Sequence, residues 1–185
     1  LSTRGLSAIA GLNISNTLNN VVNTFFLTMG IAISIVIGQL IGAGKLKEAK
    51  ETDTKMITFS LMISLGVSAL LLIAAPLFPR IYNTTGEIRY LATRFILVYV
   101  LATPFNAFTN AAYFTLRSGG KTVMTFIFDS GFIWAVNVPV AMLLAHFTNL
   151  PIVWMFFIIS MLDAIKSVVG FILVKKGDWL NIIVE

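Results

Sequence analysis

The sequence predicts an all-α, polytopic membrane protein with about five transmembrane helices. Hydrophobic residues make up 57% of the chain and charged residues only 11%, whereas a soluble domain carries about a quarter charged residues. Residues 5–44, 56–79 and 95–116 contain no charged side chain at all. Because about 20 apolar residues suffice to cross the hydrocarbon layer, each of these stretches can form a span.

Glycine, proline and charged residues mark where the spans end. The first span is bounded by Gly42-Ala43-Gly44 and a charged segment, and the second stops at Pro76 and Pro79. The third ends at a short cationic turn, residues 117–121, and the fifth ends before Lys175. Interior prolines in the third and fourth spans are tolerated because neighbouring groups satisfy the freed carbonyls. We therefore expect spans at about residues 12–41, 56–75, 91–116, 122–145 and 151–174.

The cations are unevenly divided between the two ends of these spans. One side holds eight, Lys45, Lys47, Lys50, Lys55, Arg117, Lys121, Lys175 and Lys176, and the other side holds four, Arg4, Arg80, Arg89 and Arg94. The richer side is expected to be cytoplasmic. The sequence thus predicts a multi-pass protein of the cell (plasma or inner) membrane with a cytoplasmic C-terminus.

Residue content argues against several other classes of protein. The chain has no cysteine and one histidine, and it shows neither paired carboxylates nor a phosphate-binding glycine loop. Its cations cluster at helix ends and form no stripe for nucleic acid. We therefore expect no enzymatic activity, no metal site, no cofactor and no nucleic-acid partner. The chain begins at Leu1 without a signal-peptide pattern, so we expect it to be a piece of a longer protein.

The first span carries a stripe of four carboxamides. Asn13, Asn16, Asn20 and Asn23 are spaced by three, four and three residues, which places them on one helical face. Lipid cannot satisfy these groups, so the stripe must face protein or a wet cavity. Such residues can be interhelical contacts worth about 1 kcal/mol each, or they can line a transport pathway; we favour the pathway.

The third span carries a second polar stripe beside Pro104. Asn106, Asn110 and Tyr113 recur at helical spacing, with Thr103 and Arg117 on the same face. Interrupted helices near the bilayer midplane often form substrate sites in transporters. We assign Asn106, Asn110 and Tyr113 to the substrate or ion pathway, with helix packing as the alternative.

Two carboxylates, Asp129 and Asp163, are predicted at membrane depth. Asp163 has Lys166 one turn away, and we expect these two residues to form a structural pair. Asp129 has no cation beside it in sequence, so it is a candidate for proton or cation handling, or for a contact with Lys121 or Arg117.

Small residues also recur along the first span. Gly30, Ser34, Gly38 and Gly42 are four residues apart, a pattern that predicts close helix packing.

Four segments resemble the multidrug and toxic compound extrusion (MATE) family of antiporters. They are IAISIVIGQLIGAGKLKEAK at 31–50, AAYFTLRSGGKT at 111–122, FDSGFIWAVNVPVAMLL at 128–144 and VKKGDWLNIIV at 174–184. The resemblance implies a twelve-helix protein in two six-helix lobes, of which this chain is helices eight to twelve. It also implies efflux of amphipathic or cationic drugs by antiport with H⁺ or Na⁺. The implied partners are the bilayer, the missing N-terminal lobe and a small-molecule substrate.

The chain departs from some family members at Asn106. Where those members have a carboxylate that helps to bind the coupling cation, this sequence has a neutral amide. An amide oxygen can coordinate Na⁺ but cannot carry a proton, so the coupling carboxylate is expected in the N-terminal lobe. Two alternatives remain open, a lipid-linked oligosaccharide flippase of the same superfamily and a membrane scaffold that does not transport.

Overall fold

The computed structural model describes residues 5–180, and this part of the chain contains helices and no strand. Five helices are long and apolar enough to cross a membrane, which confirms the predicted fold class. They are α1 (Leu6–Gly42), α2 (Leu46–Ile81), α3 (Gly86–Ser118), α4 (Thr122–Phe147) and α5 (Ile152–Lys176). Four of the predicted spans lie inside α1 to α4, and the fifth begins one residue before α5.

Glycines permit the tight turns between the helices. Gly44, between α1 and α2, has a φ of 72°, and Gly120, between α3 and α4, has a φ of 71°. Residues with a Cβ rarely adopt this left-handed conformation. The start of α3 is instead capped by a side chain, since the Thr85 hydroxyl accepts a hydrogen bond from the Ile88 N–H at 3.5 Å.

Helix α3 lies at the centre of the bundle, with α1, α2 and α5 packed against it. Small residues let the neighbours approach closely. A Cβ atom on Gly30 of α1 would lie only 2.2 Å from the ring of Phe114. On α2, Ser60, Ser64 and Ser68 recur at helical spacing and are all buried. Such small residues are typical of transmembrane helix interfaces.

The small-residue prediction for α1 is only partly correct. Gly30 makes the close contact described above, but neither Gly38 nor Gly42 would bring a Cβ within 4 Å of another group. The second close approach on α1 occurs instead at Gly11, whose Cβ would lie 3.0 Å from that of Leu91. The α1–α3 contact therefore depends on Gly11 and Gly30.

Trp179 closes the end of the bundle at which α5 terminates. Its side chain is 1% exposed, and its indole N–H donates to the Val174 carbonyl at 3.0 Å. The Trp179 backbone passes so close to the α3–α4 turn that a Cβ on Gly119 would lie 1.8 Å from the Trp179 carbonyl oxygen. At the opposite end, Phe95 of α3 packs edge-on against Phe156 of α5.

Helix α4 is irregular. Two π-helical segments, Ile127–Gly131 and Ile133–Asn137, precede Pro139. Proline donates no backbone hydrogen bond and its ring crowds the carbonyl four residues earlier, that of Ala135, and a wider turn relieves this crowding. The first π segment contains Asp129 and therefore sets the direction in which that carboxylate leaves the helix.

Candidate functional site

A cavity of about 360 Å³ lies between α1, α3, α4 and α5. We call it the polar cavity, because most of its lining side chains are amide, hydroxyl or charged groups. The lining residues are Asn23, Leu27, Asn106, Thr109, Asn110, Tyr113, Phe114, Arg117, Asp129, Asp163 and Lys166. Five of the eight predicted pathway residues, Asn23, Asn106, Asn110, Tyr113 and Asp129, are thus brought to one place.

An ion pair joins α4 to α5 in the wall of this cavity. The Lys166 ammonium lies 2.6 Å from the Asp129 carboxylate. Lys166 is buried, and its Nζ atom lies 5.2 Å from the centre of the Phe128 ring, a cation–π contact. The ion pair fixes a cation within the membrane-spanning part of α5.

This pairing corrects two expectations. Lys166 was expected to pair with Asp163 one turn away, but within residues 5–180 its ion-pair partner is Asp129. A contact of Asp129 with Lys121 or Arg117 was the other expectation, and among the described residues Asp129 forms an ion pair with neither. The physical reason is that α4 and α5 lie side by side, so a residue 37 positions away comes closer than the local neighbour.

Two amides of α3 are linked to each other at the cavity wall. The Asn110 side-chain nitrogen donates to both the backbone carbonyl and the side-chain oxygen of Asn106, each at 3.0 Å. Along residues 5–180, the Asn110 side-chain oxygen accepts no hydrogen bond. It is therefore available to a ligand or a water molecule in the cavity.

The four asparagines of α1 occupy different environments. Asn23 lines the polar cavity, whereas Asn16 accepts a hydrogen bond from the Tyr99 hydroxyl at 2.6 Å and so connects α1 to α3. Asn13 and Asn20 are exposed, as Asn23 is, but unlike Asn23 they do not line the cavity. Their backbone carbonyls accept hydrogen bonds from Thr17 and Thr24.

Sequence reasoning missed the contribution of Lys166 and Asp163 to the cavity. It treated them as a local pair, although the signal was present: they are the only charged residues in residues 152–174. The charges that line the polar cavity balance formally, because the cations Arg117 and Lys166 are matched by the carboxylates Asp129 and Asp163. Among residues 5–180, no group of three histidine or acidic side chains could hold a metal ion.

Comparison with known proteins now decides the family. The family model described as MatE matches residues 1–143, which is well over half of the chain. The chain belongs to the MatE family. The resemblance noted in the sequence is thereby confirmed. This MatE chain is a multi-pass membrane protein, with five helices among its described residues that are long and apolar enough to cross a membrane.

Several relatives of this MatE chain carry names that refer to drug resistance or extrusion. It is 28% identical over 154 residues to "Probable multidrug resistance protein YoeA" of Bacillus subtilis, covering 81% of this chain and 33% of the relative. It is 27% identical over 124 residues to "Probable multidrug resistance protein NorM" of Oceanobacillus iheyensis, covering 67% of the chain and 28% of the relative.

A human relative is more distant. "Multidrug and toxin extrusion protein 1" of Homo sapiens is 23% identical over 145 residues, covering 77% of the chain and 25% of that protein. The chain thus spans about a quarter to a third of the length of these relatives. No solved structure gave a significant match.

Proposed function

We propose that this chain is part of a secondary active transporter that exports amphipathic, often cationic, compounds by antiport with H⁺ or Na⁺. In this proposal the polar cavity is the contribution of this chain to the substrate and ion pathway. Membership of the MatE family and the printed names of the relatives support export of drug-like compounds.

The observation that carries the proposal is the convergence of polar groups from four helices on one cavity. Asn23 comes from α1, Asn106 and Asn110 from α3, Asp129 from α4 and Lys166 from α5. Hydrocarbon cannot satisfy so many polar groups, and helix packing alone does not need an open space between them. A water-filled pathway accounts for both features.

The charge balance of the cavity favours an amphipathic substrate over a pyrophosphate-linked one. A pyrophosphate headgroup needs cations that are free to bind it. Here the Lys166 ammonium is already held by Asp129 at 2.6 Å, and Arg117, the other lining cation, shares the cavity with a second carboxylate, Asp163. This supports drug efflux over the flippase alternative, and the open space argues against a scaffold that serves only packing.

The proposal includes either H⁺ or Na⁺ as the coupling ion. Asn106 is neutral, and the Asp129 carboxylate is neutralised by Lys166. Asp163 is a further carboxylate in the cavity wall, one turn from Lys166. Because the family resemblance implies it, we place the principal coupling carboxylate outside this chain, in the N-terminal lobe that would face the polar cavity. No cofactor other than the coupling ion is proposed.

The proposed transporter has further partners. An N-terminal lobe and one further helix would complete it, and the bilayer would surround it. We place the C-terminus on the cytoplasmic side of the plasma or inner membrane, because the cation-rich end of the bundle should lie inside. No nucleic acid is involved.

Export of a fluorescent cationic dye by the full-length transporter in proteoliposomes tests the proposal. Asn110→Leu should lower export by about three- to tenfold, since loss of one polar contact worth about 0.6–1.4 kcal/mol corresponds to such a factor. The matched control is Asn149→Leu, which makes the same change in the loop between α4 and α5. Equal export by the two variants, at equal expression, would contradict the pathway assignment.

A further inference from the structure

A second cavity, of about 530 Å³, lies on another side of α3, between α2 and α5. We call it the lysine groove. Two of its lining residues are the exposed lysines Lys50 and Lys175. Its apolar lining includes the buried Ile57, the half-buried Leu61 and Phe171, an exposed ring beside Lys175. Export through the polar cavity makes no use of these residues.

The lysine groove is polarised along the helices. Lys50 lies near the start of α2 and Lys175 at the end of α5, so both cations belong to the same end of the bundle. Leu61 is eleven residues further along α2, which places it about 16 Å deeper at 1.5 Å per residue. The groove therefore has a cationic mouth and an apolar interior whose length suits an acyl chain.

The two lysines are free to bind an anion. Within the described part of the chain, the ion pairs at this end are those of Lys45 with Glu48 and of Lys176 with Asp178. Neither Lys50 nor Lys175 takes part in one, and the Lys175 ammonium lies over the Phe171 ring at 5.7 Å.

Asp53 also lines the groove, but it does not cancel this positive charge at the mouth. It is only 1% exposed, and its carboxylate accepts a hydrogen bond from the Thr115 hydroxyl of α3 at 2.6 Å. That contact directs the carboxylate toward the interior of the bundle. The lysines, in contrast, are at the surface where lipid headgroups lie.

We propose that the lysine groove binds one anionic phospholipid, with its phosphate at Lys50 and Lys175 and one acyl chain along Ile57, Leu61 and Phe171. Charge complementarity selects the headgroup, because basic pockets between transmembrane helices bind anionic lipids. The apolar interior selects a lipid over a soluble phosphate. The bound lipid would bridge α2 and α5 on the side of α3 away from the polar cavity.

Native mass spectrometry of the full-length transporter, purified with added phosphatidylglycerol, tests this assignment. The variant Lys50→Gln/Lys175→Gln should retain phosphatidylglycerol about 25-fold less well, at about fivefold for each lysine. The matched control, Lys47→Gln/Lys55→Gln, removes two exposed cations of α2 that do not line the groove. It should retain the lipid as the unaltered protein does.

A second variant tests the acyl-chain part of the site separately. Leu61→Trp should fill the groove and release the lipid while leaving both lysines in place. Glycerol phosphate, which offers the same phosphate without acyl chains, should not compete. Four outcomes would each overturn the proposal. They are equal lipid retention by the two double variants, retention of phosphatidylcholine equal to that of phosphatidylglycerol, displacement of the lipid by glycerol phosphate, and a Leu61→Trp variant that keeps its lipid. Lipid retention is measured without any export assay, so it stands apart from the proposed function.

Discussion

The Lys166 ammonium lies 2.6 Å from the Asp129 carboxylate, although 37 residues separate the two in sequence. This contact joins α5 to a π-helical turn of α4, a helix that otherwise packs sparingly against the bundle. It also fills one side of the polar cavity with a neutral pair of opposite charges. The position of α4 and the charge of the pathway therefore depend on the same two side chains.

Removing either partner of this ion pair should destabilise the protein. Lys166→Met leaves a carboxylate without its cation, and Asp129→Asn leaves a buried ammonium. Each is expected to lower the free energy of unfolding by about 1–2 kcal/mol, less than for a fully buried pair, because the Asp129 side chain is 41% exposed. The double variant should lose no more than the larger single loss. Thermal unfolding of the unaltered protein, the two single variants and the double variant measures the coupling energy between Lys166 and Asp129.

The exposed pair Lys45–Glu48 provides the control cycle. Its members are 58% and 55% exposed, so the coupling between them should stay below about 0.5 kcal/mol. Strictly additive losses for Lys166 and Asp129 would show that the observed contact contributes nothing to stability.

Gly30→Ala should weaken the α1–α3 contact. The added Cβ would lie 2.2 Å from the Phe114 ring, and forcing that ring aside should cost about 1–3 kcal/mol of stability. Gly38→Ala, on the same helix with nothing within 4 Å, should be neutral or slightly stabilising. A lower melting temperature for Gly38→Ala than for Gly30→Ala would contradict the observed packing.

Tyr99→Phe tests whether Asn16, one of the four asparagines of α1, stabilises helix packing or takes part in transport. It removes the hydroxyl that donates to Asn16 at 2.6 Å, and such bonds in membranes are worth about 0.6 kcal/mol on average. Because neither residue lines the polar cavity, we expect a small loss of stability with the dye affinity unchanged. Tyr90→Phe, at an exposed position of the same helix, is the control. A large change in dye affinity would mean that Asn16 belongs to the pathway after all.

The proposed orientation is open to cysteine labelling, because the chain has no cysteine of its own. Lys47→Cys lies at the lysine-rich end of the bundle and Asn83→Cys lies in the loop at the other end, and both positions are exposed. A membrane-impermeant thiol reagent applied to intact cells should modify position 83 and leave position 47 unmodified until the cells are opened. Modification of both, or of position 47 alone, would contradict a cytoplasmic C-terminus.

Sequence reasoning predicted the helices well because the length of each charge-free stretch is read directly from the positions of the charged residues. It placed four of the five spans within the observed helices and identified five residues that line one cavity, Asn23, Asn106, Asn110, Tyr113 and Asp129. Helical spacing identifies a shared face, but it does not say which member of that face meets a neighbouring helix. Asn16 meets Tyr99, whereas Asn13 and Asn20 are exposed.

The Lys166–Asp129 ion pair could not be predicted either, because it also depends on which helices are neighbours. Local rules join residues three or four apart, so Lys166 was assigned to Asp163, whereas helix packing places Asp129 of α4 beside it. The same limit affected Gly38 and Gly42, whose spacing is typical of packing but where an added Cβ would meet no group of the described chain within 4 Å. Which helix lies beside which is a property of the whole bundle.

Substrate protection at position 110 tests most directly whether the polar cavity belongs to the transport pathway. In the full-length protein carrying Asn110→Cys, a small hydrophilic thiol reagent should react at a measurable rate, and a saturating cationic substrate should slow that reaction severalfold. The same substrate should leave the reaction of Lys47→Cys unchanged, because that position lies outside the cavity. A cysteine at position 110 that never reacts, or that reacts equally fast with and without substrate, would contradict the account.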